Sequence, residues 1–190
     1  MRYLNKTESS RILTERWQYA RAADRGPIRN ELLAEQLGFC AYSERFIKKT
    51  DAVDIEHFDP RLKPTPQDSY WNWYAVLHWM NQHNARTIER FEPLPRPFDP
   101  TIRGRVRYVD GLFFPKDDDD IKVRNLIEFL GWNKQQVVND RRKHVAKVLD
   151  LQRRLKLDSV AEFVEFLYSD PDNLSFATAL EAALGCRLLT

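Results

Sequence analysis

One short segment of the chain, Asp54-Ile55-Glu56-His57, combines two carboxylates with an imidazole. A neutral imidazole can take a proton from water near pH 7. Carboxylate and amide oxygens are ligands that suit Mg²⁺, and the segment is followed by Asn72 and Asn81. The residue types therefore predict a metal-dependent hydrolytic site. The alternative is a chance cluster of polar residues.

The elements around this segment decide which side chains can meet. Residues 52–58 alternate apolar and polar side chains, which predicts a short strand, and residues 39–47 are its expected hairpin partner. On a strand, Asp54 shares a face with Glu56, two residues further on. Residues 71–91 are rich in aromatic and aliphatic side chains and are expected to form a turn followed by a helix.

Spacing on that helix predicts which residues face the site. Residues three and four apart share a helical face, so His78 and Asn81 should align, with Asn84 and Ala85 continuing the same face. His83 should point elsewhere. For His78 the favoured interpretation is a satisfied, partly buried side chain beside Trp79.

Composition indicates a single globular domain, or a small core with a helical extension. The 190 residues are 43% hydrophobic and 31% charged, with only 6 glycines, which favours a helix-rich protein with a real core. The net charge of +2 is too small for a protein that holds nucleic acid by phosphate contacts alone. The two cysteines are far apart in the sequence, which favours a reducing compartment. The sequence also shows no signal-like N-terminus and no apolar run of membrane length. We therefore expect a cytoplasmic protein that does not contact the membrane.

The remaining pattern is mostly helical. Apolar spacing predicts helices, glycine or proline marks their ends, and Asp110-Gly111 is a hairpin turn signal. The expected helices span residues 11–21, 27–37, 121–130, 133–156, 160–168 and 174–184, and the expected hairpin spans residues 105–114.

Three features have open interpretations. The run Asp117 to Asp120 is either a metal site or, as we favour, an acidic helix N-terminus. Aromatic residues between Trp71 and Trp79 could stack on bases, but core packing is favoured. The basic helix that begins with Arg141-Arg142-Lys143 is equally a surface that tracks phosphates, a docking face for an acidic partner, or a solvated face.

Several segments resemble those of the HNH endonucleases in their residues and in their order along the chain. The segments are 38–45 (GFCAYSER), 54–60 (DIEHFDP), 71–73 (WNW) and 80–84 (MNQHN), and residues 124–145 resemble the helical tail of the same proteins. The resemblance is strongest to the branch found in Septu-type anti-phage systems and related retron systems, called PtuB-like. It covers roughly residues 30 to 150.

The resemblance implies a role for each matching residue. His57 would be the general base that activates water, and Asn72 would brace the loop and orient that histidine. Glu56 and Asn81 would bind a single Mg²⁺ or Mn²⁺ ion, with Asp54 as an auxiliary ligand. Arg141, Arg142 and Lys143 would then be candidates for contacts to the nucleic acid.

The sequence departs from that branch at the structural zinc site, which two C-x-x-C pairs hold in many of its members. Here these positions read Cys40-Ala41-Tyr42-Ser43 and Leu77-His78-Trp79-Met80, so one thiolate of four remains. A closed zinc site needs four good nitrogen or sulfur ligands. We therefore expect no structural zinc and an apolar plug of Cys40, Leu77 and Met80. The weaker alternative is a site made of Cys40, His78 and His83.

These expectations combine into one hypothesis. The fold should be α+β, with a ββα-metal (HNH) core at about residues 39–91 in an N-terminal region of residues 1–91. A mostly helical region of residues 92–190 should follow and could dock a partner. The function implied is a DNA endonuclease that acts in anti-phage defence with an ABC/SMC-like ATPase. RNA as the substrate stays open, and the alternative from another class is an inactive adaptor that binds the ATPase or nucleic acid.

Overall fold

The computed structural model describes residues 4, 6–63, 65–83, 87–156 and 159–188. They form a mixed fold of helices and two small antiparallel sheets, so the α+β prediction is confirmed. In chain order the elements are α1 (Arg11–Thr14), α2 (Arg25–Glu35), β1 (Val53–His57), β2 (Trp73–Leu77), α3 (His78–His83), α4 (Ile102–Arg105), β3 (Val106–Val109), β4 (Leu112–Pro115), α5 (Ile121–Phe129), α6 (Gln135–Leu155), α7 (Val160–Tyr168) and α8 (Ala177–Leu184).

The first sheet pairs β1 with β2, in the register Val53 opposite Leu77 through to His57 opposite Trp73. The predicted strand at residues 52–58 is confirmed, but its predicted partner is wrong. Residues 39–47 contribute only an isolated bridge between Phe39 and Phe46. The true partner lies in the stretch that was expected to be a turn and a helix. All five residues of β2 are buried, and an unbroken apolar run carries no periodicity that separates a strand from a helix.

A short 3-10 turn at Tyr70–Asn72 leads into β2, and α3 follows β2 with no intervening residue. Two strands and a helix therefore succeed one another, and α3 lies against β1 as well as β2. This succession brings the end of β1, the turn before β2 and the start of α3 into one region. Asn84 and Ala85, which were expected to continue the helical face, lie outside the described residues.

The N-terminal helices differ from their prediction in length. α1 ends at Thr14, and Arg16 adopts a left-handed φ of 56°, so the predicted helix over residues 11–21 is wrong beyond its first turn. α2 begins at Arg25 and carries Gly26-Pro27 in its first turn, where proline is tolerated. Gly38 (φ +79°) ends this segment as predicted; a Cβ there would lie 2.8 Å from the Phe46 ring.

The second sheet is the predicted hairpin, β3 paired with β4. Asp110 and Gly111 in its turn both have positive φ, of 41° and 82°, as a two-residue type I′ turn requires. α5 begins directly after the aspartate run, with Asp120 as N-cap accepting the Val123 N–H at 3.2 Å. The favoured interpretation of that run, an acidic helix N-terminus, is confirmed.

The largest core cluster joins the two regions that the sequence suggested. Tyr42, Phe58 and Met80 from the N-terminal region pack in one cluster with Leu126 and Trp132 from the C-terminal region. A second cluster lies between α6, α7 and α8, and a third between α1, α2 and the first sheet. The first sheet therefore has the third cluster on one side and the largest cluster on the other.

In the described part of the chain, no helix combines the length and the apolar character needed to cross a membrane.

Candidate functional site

Asp54 of β1 is the centre of a polar cluster with α3. Its Oδ2 accepts a hydrogen bond from Asn81 Nδ2 at 2.7 Å and lies 2.7 Å from Nδ1 of His78. His78 and Asn81 are three residues apart, so they share a helical face as predicted. Asn81 uses its amide nitrogen on Asp54, and its Oδ1 is therefore the atom left to bind a cation.

The structure corrects the interpretation of His78. Its side chain is 47% exposed, so it is not a partly buried histidine beside Trp79. His83 does point elsewhere, because its Nδ1 donates to the Trp79 carbonyl at 2.8 Å and its ring stacks on the Trp79 indole. His78 is thus a candidate ligand that sequence reasoning set aside; its one-turn spacing from Asn81 was the available signal.

Glu56 shares the face of β1 that carries Asp54, because residues two apart on a strand point the same way. Tyr74 stands opposite Glu56 in the sheet, and Tyr42 lies near both. Burial first, and then the charge of Glu56, raise the pKa of the Tyr42 hydroxyl well above its ordinary value. Of the two predicted carboxylate ligands, Asp54 is the one that directly contacts Asn81.

His57 lies on the opposite face of β1. Its side chain is only 4% exposed, and the ring packs edge-on against Tyr19 with centroids 4.4 Å apart. Nε2 of His57 lies 3.0 Å from Oδ2 of Asp68, at ion-pair distance, but it makes no regular hydrogen bond within the described part of the chain. The structure therefore brings Asp54 and Asn81 together but separates His57 from them by one sheet face. His57 is the last residue of β1, so the two groups meet only beyond the end of the strand.

Asp68 is a site residue that sequence reasoning missed. Besides His57, it binds Asn72 Nδ2 at 3.1 Å and Trp73 Nε1 at 2.8 Å through Oδ1. Burial raises the pKa of Asp68, but the contacts with His57, Asn72 and Trp73 outweigh it and hold the pKa below its ordinary value. Asp68 lies in the long loop after β1, where no periodicity predicts the direction of a side chain.

Asn72 connects this acid to the end of β1. It is buried, its Oδ1 accepts the Asp59 N–H at 2.8 Å, and its Nδ2 donates to the Asp59 carbonyl at 3.0 Å. Arg61 in turn binds the Asp59 carboxylate and lowers its pKa. Asn72 therefore braces the loop that follows β1, and through Asp68 it is one contact away from the imidazole of His57.

The positions of the missing zinc cysteines form an apolar cluster. Cys40, Leu77 and Met80 are buried in the same core, and the Leu77 N–H donates to Cys40 Sγ at 3.4 Å. His78 faces Asp54 and His83 faces Trp79, so neither accompanies Cys40. Within residues 4, 6–63, 65–83, 87–156 and 159–188, no group of three or more His, Cys, Asp or Glu side chains is placed to hold a metal ion. Asp54 and His78 are two such side chains, Asn81 is an amide, and Glu56 on the same face of β1 does not join them as a third.

Arg141, at the basic start of α6, is buried, so the prediction that it contacts nucleic acid is wrong. This residue is 1% exposed, donates to the carbonyls of Gly111 and Trp132, and lies over the Phe113 ring with 4.4 Å between Cζ and the centroid. Its guanidinium holds the β3–β4 turn and cannot reach a phosphate. Arg142 binds the turn from outside, at the Asp110 carbonyl and carboxylate.

Lys143 is exposed, and among the described residues it has no ion-pair partner. Of the three basic residues proposed to contact nucleic acid, it is the one whose charge faces solvent unpaired in the described part of the chain. The predicted phosphate-tracking surface is therefore weaker than the sequence of α6 indicates.

Comparison with known proteins adds no relative: no family model, no curated protein and no solved structure matches this chain.

Proposed function

We propose that the chain is a divalent-metal-dependent endonuclease of the HNH class, with DNA as its substrate. One observation carries the proposal: Asp54 on β1 is held by Asn81 and His78 from α3, the helix that follows β2 directly. This succession of strand, strand and helix supports the ββα-metal core that the HNH resemblance implies. The hydrogen bond of Asn72 to the loop after β1 supports the bracing role that the same resemblance gives to the middle asparagine.

The donor atoms of the Asp54 cluster fit a small divalent ion. Asp54 offers carboxylate oxygens, Asn81 an amide oxygen and His78 an imidazole nitrogen, a mixed set that suits Mn²⁺ and, with waters completing the shell, Mg²⁺. Glu56 lies on the same face of β1, but it is not placed to join Asp54 and His78 around one ion. An ion bound there would supply Lewis-acid stabilisation of charge on the phosphate and on the leaving oxygen.

His57 supplies the proton acceptor in this proposal. An ionised carboxylate beside Nε2 favours the tautomer with its proton on that nitrogen, which leaves Nδ1 to accept a proton from water. Tyr19 and Trp73 fix the ring plane by packing against it. Because His57 and Asp54 lie on different faces of β1, the substrate must cross the end of this strand to reach both.

A second candidate is an inactive adaptor that keeps the HNH framework and binds an ATPase or nucleic acid. The burial of His57 favours it, since a general base must reach the water that it deprotonates. The partnership with an ABC/SMC-like ATPase and a role in anti-phage defence belong to the proposal through the resemblance alone. The small net charge is compatible with a nuclease that acts only when such a partner engages it.

Cleavage of end-labelled DNA, with Mg²⁺ or Mn²⁺ and with the candidate ATPase partner present, tests the proposal. The parent protein should cleave, a chelator should stop it, and Asp54→Asn, Asn81→Ala and His57→Gln should each reduce the rate by about 10²–10⁴-fold. Asp118→Asn is the matched control, because that carboxylate is 85% exposed. Absence of divalent-dependent cleavage in the parent under every condition would favour the adaptor. Full activity of His57→Gln would instead refute His57 as the proton acceptor.

Metal binding gives an independent measurement. Titration of Mn²⁺ followed by electron paramagnetic resonance should show one site in the parent and a weakened site in Asp54→Asn and His78→Gln. Metal analysis of the purified protein tests the zinc prediction separately, and about one tightly bound zinc per chain would contradict the apolar plug.

A further inference from the structure

A cavity of about 690 Å³ adjoins the His57–Asp68 pair. Its walls are the segment that follows α1 and the loop that precedes β2, and Asp68 and Trp73 belong to its lining. The volume is within the range of pockets that bind small organic ligands. The proposed metal cluster lies on the other face of β1, so this cavity is a separate feature of the site.

The cavity presents aromatic rings on one wall. Trp17 and Tyr19 both line it and are half-buried, so each keeps ring surface that core packing does not use. Tyr19 is also the ring that packs edge-on against His57. A planar group held against Tyr19 would therefore lie one ring away from the imidazole.

Positive charge surrounds the same wall. Arg25 lies over the Tyr19 ring, with 4.9 Å between its Cζ and the ring centroid. Lys63 lies over the same ring, with 5.4 Å between its Nζ and the centroid. Arg16 completes the cationic part of the lining. Among the described residues of the lining, Asp68 is the one carboxylate, and it is already engaged by His57, Asn72 and Trp73. Three cations thus face a ligand against a single compensated anion.

We propose that this cavity binds one unpaired nucleotide of the substrate strand, with its base against Trp17 and Tyr19 and its phosphate at Arg16, Arg25 and Lys63. The inference rests on the proposed function and specifies the substrate: single-stranded nucleic acid, or a strand with an unpaired base, rather than intact duplex. A stacked base pair offers no free ring face, whereas an unpaired base can enter a pocket and stack on aromatic side chains. The position beside His57 would hold the adjoining phosphodiester at the proton acceptor.

Fluorescence anisotropy of a labelled oligothymidylate, with a chelator present, measures this binding without metal or cleavage. Three probes are compared: the single strand, the same strand in a duplex, and a strand of equal length with one abasic position. The single strand should bind most tightly. The slope of log K against log salt should be shallower by about 0.7 in Arg16→Ala and in Lys63→Ala than in the parent protein. Trp17→Ala should weaken affinity about tenfold, as loss of one stacked base does.

Lys122→Ala is the matched control, an exposed lysine on α5 far along the chain from this cavity. Arg16→Ala and Lys63→Ala remove exposed side chains and leave the core intact, so they test the proposal even if Trp17→Ala fails to fold. The inference would be overturned if the parent did not bind the oligonucleotide, or if it bound duplex as tightly as single strand. It would also be overturned if Arg16→Ala and Lys63→Ala kept the parent's affinity, or if Lys122→Ala lost as much affinity as they do. Asp54→Asn separates the two proposals, because it should lose cleavage and keep oligonucleotide binding. A parent protein that shows cavity-dependent binding but never cleaves would contradict the nuclease proposal alone.

Discussion

Arg141→Met tests whether Arg141 of α6 stabilises the fold or contacts nucleic acid, because the two roles predict different results. The substitution keeps most of the aliphatic volume and removes a guanidinium that is 1% exposed. It leaves the carbonyls of Gly111 and Trp132 without this donor, at about 1–3 kcal/mol for each buried acceptor, and it removes a desolvated cation–π contact with Phe113 worth about 2 kcal/mol.

One opposing effect reduces that sum. Burial lowers the pKa of Arg141 to about 10, which shows that the charged group is costly to hold in the core, and methionine avoids this cost. We therefore expect a net loss of about 3 kcal/mol in the free energy of unfolding. For a chain of this length that corresponds to a fall in Tm of roughly 6–12 °C.

The assay is urea unfolding followed by circular dichroism, with Lys143→Met as the exposed control and anisotropy with the labelled oligothymidylate as the second readout. Lys143→Met should stay within about 0.5 kcal/mol of the parent. Folded Arg141→Met should keep its affinity for the oligonucleotide. A stable Arg141→Met variant that binds nucleic acid more weakly would refute the structural role and restore the contact that the sequence suggested.

Three further outcomes follow from polar groups that are buried or half-buried. Asn72→Ala leaves the Asp59 N–H and C=O without their partner, so unfolding should become easier by about 2–4 kcal/mol in urea titration. Burial lowers the pKa of His144, so the folded state resists protonation and stability should fall as pH drops below 6.5; His144→Gln should flatten the stability curve between pH 5 and 7. Burial lowers the pKa of Lys6 to about 7, so stability should rise between pH 7 and 10, by up to about 1.4 kcal/mol per pH unit, and Lys6→Met should remove that rise.

Exposed residues of the same types provide the controls. Asn139→Ala, His83→Gln and Lys49→Met change side chains at the surface and should leave both stability and its pH dependence near those of the parent. If the stability of His144→Gln keeps the parent's slope between pH 5 and 7, groups other than His144 cause that pH dependence. If the stability of Lys6→Met still rises from pH 7, groups other than Lys6 cause that rise. Parent-like stability in Asn72→Ala would show that the loop after β1 does not depend on this amide.

The sequence by itself determined the elements whose causes are local. Helix α7, the β3–β4 hairpin and the acidic start of α5 were predicted correctly, because a repeating apolar face, a turn dipeptide and carboxylates at a helix N-terminus each act within a few residues. The alignment of His78 with Asn81 was predicted for the same reason, since helical spacing alone places them on one face.

Only the tertiary structure decided which distant groups meet. Pairing of β1 with β2 rather than with residues 39–47 follows from burial on both sides of β2, which no local pattern encodes. The exposure of His78, the contact of Asp68 with His57 and the burial of Arg141 depend on packing between elements far apart in the chain. The segment Asp54 to His57 contains residue types that suit a hydrolytic site, but the alternation of the strand places the Asp54 carboxylate and the His57 imidazole on opposite faces.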